Sequence, residues 1–518
     1  MLSTHYLLSM NDATLTDTKN YDEADKILKS ILYDNHHTTV TRPARLKDGI
    51  LKLSATKRRR FLKKFKKKAA QYSYTDFIPA SGSGTRLLQD LVQFAHNYDP
   101  SEQSVSTYIN SHGCYNLNDF FKHLKRLPFY PLVQDEIKET LLNAVDINHG
   151  RLDMVKFLLT TDKLNLTSLP VALIPLHRTD NEAATAFDQH VSLHDALAST
   201  FTASNLTFTV PQKRNQLFQE QLESKAAQFP DLDIQTTIQD PASDVYCLNE
   251  NNELAIDQTG DRVMQPSGHG SLLSNLNDVE SEIIHISSVN NVPQRVNMKA
   301  YVKHKKIMTG YLIYVVNQVH KYLAKLENGE LTKMERRKLG KFLKRYFHLD
   351  FKVALKQSTE GTLSTIYHLL NAPIRVAAVA PMKDNTGDVA FWATNSRNIE
   401  TLQIINKNQI DSSDEYQKAA LESASHYSFA SMFLYTNDYK GNDFDLADYS
   451  EPGACTITER SIEGQQVKFI EQDGLWNAKM KDHLTIFIEA DDSVFNPIND
   501  LTDLLPKGKS RRRNRLRK

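Results

Sequence analysis

The sequence predicts an α/β fold, a mixed sheet flanked by helices with a helical segment before it and a helical insertion within it. Three observations carry this reading. From about residue 72 to 300, short apolar runs alternate with helical patterns, as a layered sheet-and-helix domain requires. After Pro373 the β pattern returns. Between Phe77 and Leu87 an apolar run passes through a loop of small residues into a helical pattern, the layout of a phosphate-binding turn.

Residues 1 to about 70 read as helical and polar. They end in Lys57 to Lys68, where nine of twelve side chains are basic. Phe61, Leu62 and Phe65 fall at helical spacing, which predicts a helix docked by a narrow apolar stripe with a solvated cationic face. A surface for phosphates or RNA is the alternative reading of the same segment. The expected strands that follow are Asp76–Pro79, Leu206–Val210, Ile234–Ile238 and Glu282–Ser287, with helices over Thr85–His96, Gln134–Val145, Ala184–Ser199 and Arg214–Gln228. Met298–Glu327 and the basic Lys333–Arg345 form the insertion. Beyond it, strands are expected at Ile374–Ala380, Val389–Ala393, Leu402–Ile405, Val467–Ile470 and Leu484–Ile488. The expected division is 1–70 helical, 71–300 α/β core, 301–365 insertion, 366–505 second α/β part and 506–518 a basic disordered tail. There is no internal repeat and no low-complexity linker.

With 518 residues, 40% hydrophobic and 24% charged, the chain has ample material for a buried core. No apolar run approaches the roughly 18 residues that span a bilayer, and Met1–His5 lacks the order of a secretory signal. No membrane partner is expected. The three cysteines, Cys114, Cys247 and Cys455, are too scattered for a disulfide framework or a cysteine zinc site, and the expectation is a cytoplasmic protein. The formal charge of +1 conceals an asymmetry: eight of the last twelve residues are basic, and without them the 63 basic side chains fall to 55 against 62 acidic. An acidic body with a basic tail does not read as a dedicated nucleic-acid-binding domain, but RNA contact through the tail stays open.

In the Phe77–Leu87 segment, Gly82 and Gly84 are expected to take backbone angles closed to other residues and to let the chain approach a ligand. Ser81, Gly82, Ser83, Gly84 and Thr85 would then aim backbone amides at an anion, and Arg86 would add a permanently charged fork. The glycine spacing matches neither the Walker loop nor the dinucleotide fingerprint. An ordinary strand-to-helix turn with an exposed arginine is the competing reading. A second small-residue loop, Gly268-His269-Gly270, leads toward a helical segment. His269 is either a donor to a base, sugar or phosphate oxygen or, as lone histidines more often are, a structural hydrogen bonder. The strand Glu282–Ser287 runs toward Asn290 and Asn291, which sit where ligands collect in open α/β sheets or simply form a turn. Lys383, in a loop after a strand, reaches a phosphate or is solvated. Trp392 and Trp476 read as core anchors.

Taken together, PASGSGTR at 79–86, TAFDQH at 185–190, PSGHGSLLSNLND at 266–278, VNN at 289–291, PIRV at 373–376, FW at 391–392, GLWNAKM at 474–480 and FNPIND at 495–500 resemble a bacterial family catalogued as domain of unknown function 4301. That family is itself similar to sugar-nucleotide pyrophosphorylases, which are nucleotidyltransferases of the GT-A, Rossmann-like type. The resemblance covers roughly residues 40 to 505. It implies that Gly82, Ser83, Gly84, Thr85 and Arg86 bind the phosphates of a nucleotide or nucleotide-sugar and that Gly268, His269 and Gly270 approach base or ribose. Arg86 and Lys383 are the candidate catalytic side chains. It implies magnesium at an aspartate whose place is taken here by Asn290, with Asp500 the other candidate metal ligand. Lysines expected at two positions are replaced by Gln89 and Val171. These departures leave two functions open: a nucleotidyltransferase in which neighbours such as Asp278, Lys383 or Asp500 compensate, or a degenerate protein that binds nucleotide or sugar without turnover.

Overall fold

The computed structural model describes residues 37–505 except 83, 162–163, 180–181, 258, 294–296, 330, 350–362, 383–386, 452–454, 463–464 and 492–493. The expected disordered tail at 506–518, Ser83 and Lys383 lie outside the described residues. The chain divides into two compact units. Residues up to Pro79, Asp195–Ser288 and Val302–Asp492 make the first; Ala80–His194, Val289–Tyr301 and the C-terminal residues from Ser493 make the second.

The first unit holds a large mixed sheet. Its main strands are β1 (Val40–Pro43), β2 (Gly49–Leu51), β3 (Tyr74–Pro79), β4 (Ser204–Val210), β5 (Asp233–Ile238), β6 (Ile283–Ser287), β7 (Ile374–Pro381), β8 (Asp388–Thr394), β9 (Glu400–Asn406), β10 (His426–Tyr435) and β11 (Leu484–Glu489). Across the sheet they run β2-β11-β7-β10-β6-β3-β4-β5, with β8 joining β10 to β1 and β9. β6, β3, β4 and β5 are mutually parallel. So are β7, β11 and β2. β10 runs antiparallel to both β6 and β7 and joins the two parallel halves. Parallel strands covered on both faces read as continuous apolar runs, which is why β3, β6 and β7 were legible in the sequence. β10 was not expected. Its sequence, HYSFASMFLY, is buried at every position yet interspersed with serine and histidine, so neither alternation nor a clean apolar run marks it.

Of the residues expected to be helical over 1–70, 1–36 lie outside the described residues and α1 (Ala55–Lys68) is a helix. Val40–Pro43 and Gly49–Leu51 are strands instead, because β1 finds a partner in β8 some 350 residues away. In α1, Ser54 caps the first turn, and Phe61 and Phe65 are the buried stripe beneath the basic face. Four further helices concern the site: α2 (Thr85–Asn97), α3 (Ala186–Ala198), α4 (Met298–Glu327) and α5 (Lys333–Tyr346). The last two fall in the stretch expected as a helical insertion, of which 350–362 lie outside the described residues. α4 passes so close to α1 that a Cβ on Gly310 would lie 2.1 Å from the Phe61 carbonyl oxygen. A smaller four-stranded sheet, Met264–Pro266, Asp244–Leu248, Gln465–Gln472 and Cys455–Ile462 in spatial order, completes the first unit.

Candidate functional site

The order β5-β4-β3-β6 is that of a doubly wound half-sheet. The chain steps outward from β3 to β4 and β5, then returns to the other side of β3 as β6. In such sheets the carboxyl ends of the strands at the reversal are where ligands bind. The chain leaves β3 at Pro79 into PASGSGTR and leaves β6 at Ser287 toward VNN. The segment after GHG is tied to the end of β5: Asn275 Nδ2 donates to the Ile238 carbonyl (2.8 Å) and Gln239 Nε2 to Ser271 Oγ (2.9 Å).

Gly84 is the N-cap of α2, with φ −70° and no side-chain cap, so the first amides of α2 have no partner in their own helix. The expected special backbone angles are not used. Neither Gly82 nor Gly84 has a positive φ. Gly84 is required for space instead, since a Cβ there would lie 2.5 Å from Ile174 Cδ1, whereas nothing lies within 4 Å of a Cβ on Gly82. The segment carrying Ile174 also brings Val171 to the loop, whose N–H donates to the Gly82 carbonyl (3.2 Å). The position where the family resemblance implies a lysine is therefore beside the loop and is neutral. Ser81 is half-buried; Gln89 is exposed.

Still within the second unit, the VNN segment is fixed by residues from three distant stretches. His190 of α3 and His177, both buried, bond through Nε2 to the carbonyls of Val289 and Val292 at 3.1 Å. The FNPIND stretch runs alongside. Ile498 N–H donates to the Asn290 carbonyl (3.1 Å) and Asn496 N–H to Asn291 Oδ1 (3.0 Å). Asn290 Nδ2 donates to the Ile498 carbonyl at 2.9 Å. The two candidate metal residues thus come from adjoining segments. Asp500 accepts from Thr502 N–H (2.8 Å), Thr502 Oγ1 (2.6 Å) and Asp503 N–H (3.2 Å) as the cap of a short helical turn. A magnesium ion takes oxygen ligands, chiefly carboxylates and waters. Asn290 offers that role a neutral amide oxygen, weaker than the carboxylate the resemblance implies, and Asp500 Oδ1 is engaged as a cap. Among the described residues no group of three or more histidine, cysteine, aspartate or glutamate side chains is arranged to hold a metal.

In the first unit the GHG loop is built against GLWNAKM. Gly268 takes φ +80°, a conformation suited to glycine. A Cβ on Gly270 would stand 2.0 Å from the Asp473 carbonyl oxygen, and one on Gly474 would stand 2.3 Å from His269 Cε1. His269 stacks on Trp476 at 3.8 Å between ring centroids, and its Nδ1 accepts from Leu475 N–H at 2.8 Å. That bond fixes a neutral ring with the proton on Nε2, and burial lowers the histidine's pKa further, against the pull of Asp388 and Glu471. Trp476 Nε1 and Asn477 Nδ2 donate to Asp388 (3.0 and 3.1 Å). Arg375 of PIRV, fully buried, donates to the Trp476 carbonyl (2.6 Å). Burial pushes the neighbouring Asp473 carboxyl up to about 6. The Leu475 bond holds the His269 ring in place through Nδ1, and its Nε2–H points away from that bond.

A family model described as a domain of unknown function, DUF4301, matches residues 13–509. The chain belongs to the DUF4301 family. Among solved structures, this DUF4301 chain is similar to the uridine diphosphate N-acetylglucosamine pyrophosphorylase of Trypanosoma brucei at 12% identity, covering 97% of this chain and 78% of that one with a TM-score of 0.49. A UDP-glucose pyrophosphorylase mutant from Leishmania major in complex with UDP-glucose matches at 9% identity, the same coverages and a TM-score of 0.44. No curated protein matches the chain.

One constellation in the DUF4301 chain escaped sequence reasoning. Asp76 of β3 and His285 of β6 face each other in register, and both are fully buried with Lys305 of α4. Asp76 Oδ1 accepts from Lys305 Nζ (2.6 Å), His285 Nδ1 (2.7 Å) and Tyr74 Oη (2.9 Å). Ser431 Oγ lies 3.2 Å from His285 Nε2. Polar residues within otherwise apolar strands were the available signal. Burial and the Lys305 charge hold His285 down at about 4, and burial with His285 nearby holds His304 of α4 at about 4 as well. Both are therefore neutral in the fold, whereas in the unfolded chain they protonate near 6.5. The unfolded state binds more protons between pH 6.5 and 4, so stability falls as pH falls through that window, by about 3 kcal/mol per histidine. Urea midpoints measured from about pH 7 to pH 4.5 should drop, and His304→Gln should recover part of the loss. A midpoint indifferent to pH across the window refutes the assignment.

Proposed function

We propose that this protein binds a nucleotide or nucleotide-sugar and acts as a nucleotidyltransferase. The supporting observation is that the chain leaves β3 into PASGSGTR and leaves β6 toward VNN, at the carboxyl ends of two adjacent parallel strands. Phosphates are assigned to the amides of Ser81, Gly82, Ser83, Gly84 and Thr85, with Arg86 as their counter-charge. Base or ribose is assigned to Gly268, His269 and Gly270, His269 donating from Nε2. In the reaction, an oxygen of a sugar 1-phosphate attacks the α-phosphorus of a nucleoside triphosphate. The bond to the β-phosphate breaks, and pyrophosphate leaves with the electron pair. Such a displacement needs positioning and charge neutralisation more than a nucleophilic side chain. Lys383 is the second side chain assigned to that neutralisation. No step is routed through magnesium, since Asn290 stands where the resemblance implies its aspartate.

A second reading has its own observation. Val171, whose N–H bonds the Gly82 carbonyl, is neutral where the resemblance implies a lysine, as are Gln89 and Asn290. In that reading the loop holds a nucleotide without turnover. Thermal melting with nucleoside triphosphates and nucleotide-sugars, with and without magnesium, tests both. Saturation at a hundredfold the dissociation constant stabilises by about 2.7 kcal/mol, and Arg86→Ala should remove that shift. No shift with any nucleotide refutes both readings. A shift without exchange of labelled pyrophosphate selects the binding protein.

A further inference from the structure

We infer that α1 and α5, joined through α4, form a rigid cationic platform in the first unit that binds nucleic acid through its phosphate backbone. α1 carries nine basic side chains and no acidic one. α5 carries seven basic side chains and one acid, Glu335, which is consumed in a capping box with Thr332 and an ion pair with Lys325. An aromatic seam packs the helices together. Phe61 of α1 lies 4.7 Å from Tyr311 and 5.8 Å from Tyr314 of α4. Tyr314 lies 5.8 Å from Tyr346 of α5, and their hydroxyls are 3.3 Å apart. The cations of both outer helices converge over this seam. Arg60 sits 4.9 Å above the Tyr314 ring and Arg345 5.7 Å from the Tyr346 ring, and both pull down the Tyr346 phenol that burial pushes up to about 12.

The outward faces are uncompensated. Lys63, Lys66 and Lys67 on α1 and Arg337, Lys338 and Lys341 on α5 are exposed, and among the described residues none has a carboxylate within ion-pair reach. Like charges four apart, such as Lys63 and Lys67 or Arg337 and Lys341, each weaken a helix by roughly 0.2–0.5 kcal/mol. A surface that gathers them in a protein of net charge +1 is a field for a polyanion. A bilayer is the poorer fit, because helices that lie on membranes bury their apolar face in the lipid. Here Phe61 and Phe65 of α1 and Leu339, Phe342, Leu343 and Tyr346 of α5 are already buried in the protein, and Met334 is the exposed large apolar side chain on these two helices. The 14 residues of α1 extend about 21 Å, the length of about six nucleotides along one strand.

The test measures binding of the full chain to a fluorescein-labelled 20-base-pair duplex by polarisation across a salt series. Two triple variants are compared with it, K63E/K66E/K67E and R337E/K338E/K341E, each carrying the basic tail unchanged. Each should weaken binding by at least about tenfold and lower the slope of log K against log salt by about two to three. Thermal melting with nucleoside triphosphate should remain as in the unaltered chain. Glutamine in place of glutamate gives the same direction with a smaller change, should the reversed charges impair folding. An unchanged affinity and slope in either variant overturns the platform and leaves the tail as the binder. Loss of binding to phosphatidylserine vesicles in both variants, with duplex binding unaffected, overturns it in favour of a membrane.

Discussion

Asp76→Asn is expected to lower the free energy of unfolding by about 3–5 kcal/mol, because it leaves the Lys305 ammonium buried without its counter-charge. The carboxylate accepts three donors at 2.6 to 2.9 Å, and Lys305 is 2% exposed, so water cannot replace what is lost. Burial already lowers the Lys305 pKa, with Asp76 opposing that fall. Without Asp76 the ammonium must either stay charged at full desolvation cost or release its proton. Lys305→Met should be milder. Its removal deletes the charge that, with burial, holds His285 low, and a protonated His285 can then answer Asp76. The milder effect should shrink further as pH is lowered toward 6. In Asp76→Leu with Lys305→Met neither charge remains, and the double variant should be more stable than Asp76→Asn alone. Urea unfolding of the four proteins measures these differences. If Asp76→Asn unfolds at the same midpoint as the original chain, the three residues do not pin α4 to the sheet.

Gly270→Ala is the second large effect. The new Cβ would stand 2.0 Å from the Asp473 carbonyl oxygen and 3.0 Å from that of Gln472, and both atoms belong to backbone. Backbone here has little freedom to retreat. Gln472 N–H is bonded to the Ser267 carbonyl (2.8 Å), and the Asp473 carboxylate holds Ala478 N–H (2.7 Å). The GHG and GLWN loops must therefore part, which breaks the Leu475–His269 hydrogen bond and unstacks His269 from Trp476. The cost is about 3 kcal/mol, the upper end for overpacking. Tryptophan emission should shift to the red as Trp476 gains water, and any nucleotide-induced rise in melting temperature should diminish with the displaced His269. Gly82→Ala supplies the contrast. With no atom within 4 Å of its Cβ and no positive φ, it should change stability by no more than about 0.5 kcal/mol. Equal behaviour of the two alanine variants would contradict the packing described for the GHG loop.

What the sequence determined by itself was local. β3, β4, β5, β6, β7, β8, β9 and β11 announced themselves as short apolar runs, α4 and α5 as sustained helical patterns, and the PASGSGTR and GHG loops as small residues between such elements. Apart from β5, which has no buried position, strands of this kind are buried on both faces, and helices bury one stripe, so burial leaves its period in the residues themselves. Tertiary structure decided whatever depends on a distant partner. β1 is a strand because β8 lies beside it, and β10 because both of its neighbours cover a sequence too polar to be marked as one. VNN is held by FNPIND and by His177 and His190 from elsewhere in the chain. Gly84 is small because Ile174 is there, not because its backbone needs the freedom of glycine. Asp76 is separated from His285 and from Lys305 by more than 200 positions. Periodicity reports only which way a side chain faces, and no pattern within one segment reports which charge a different segment will place against it.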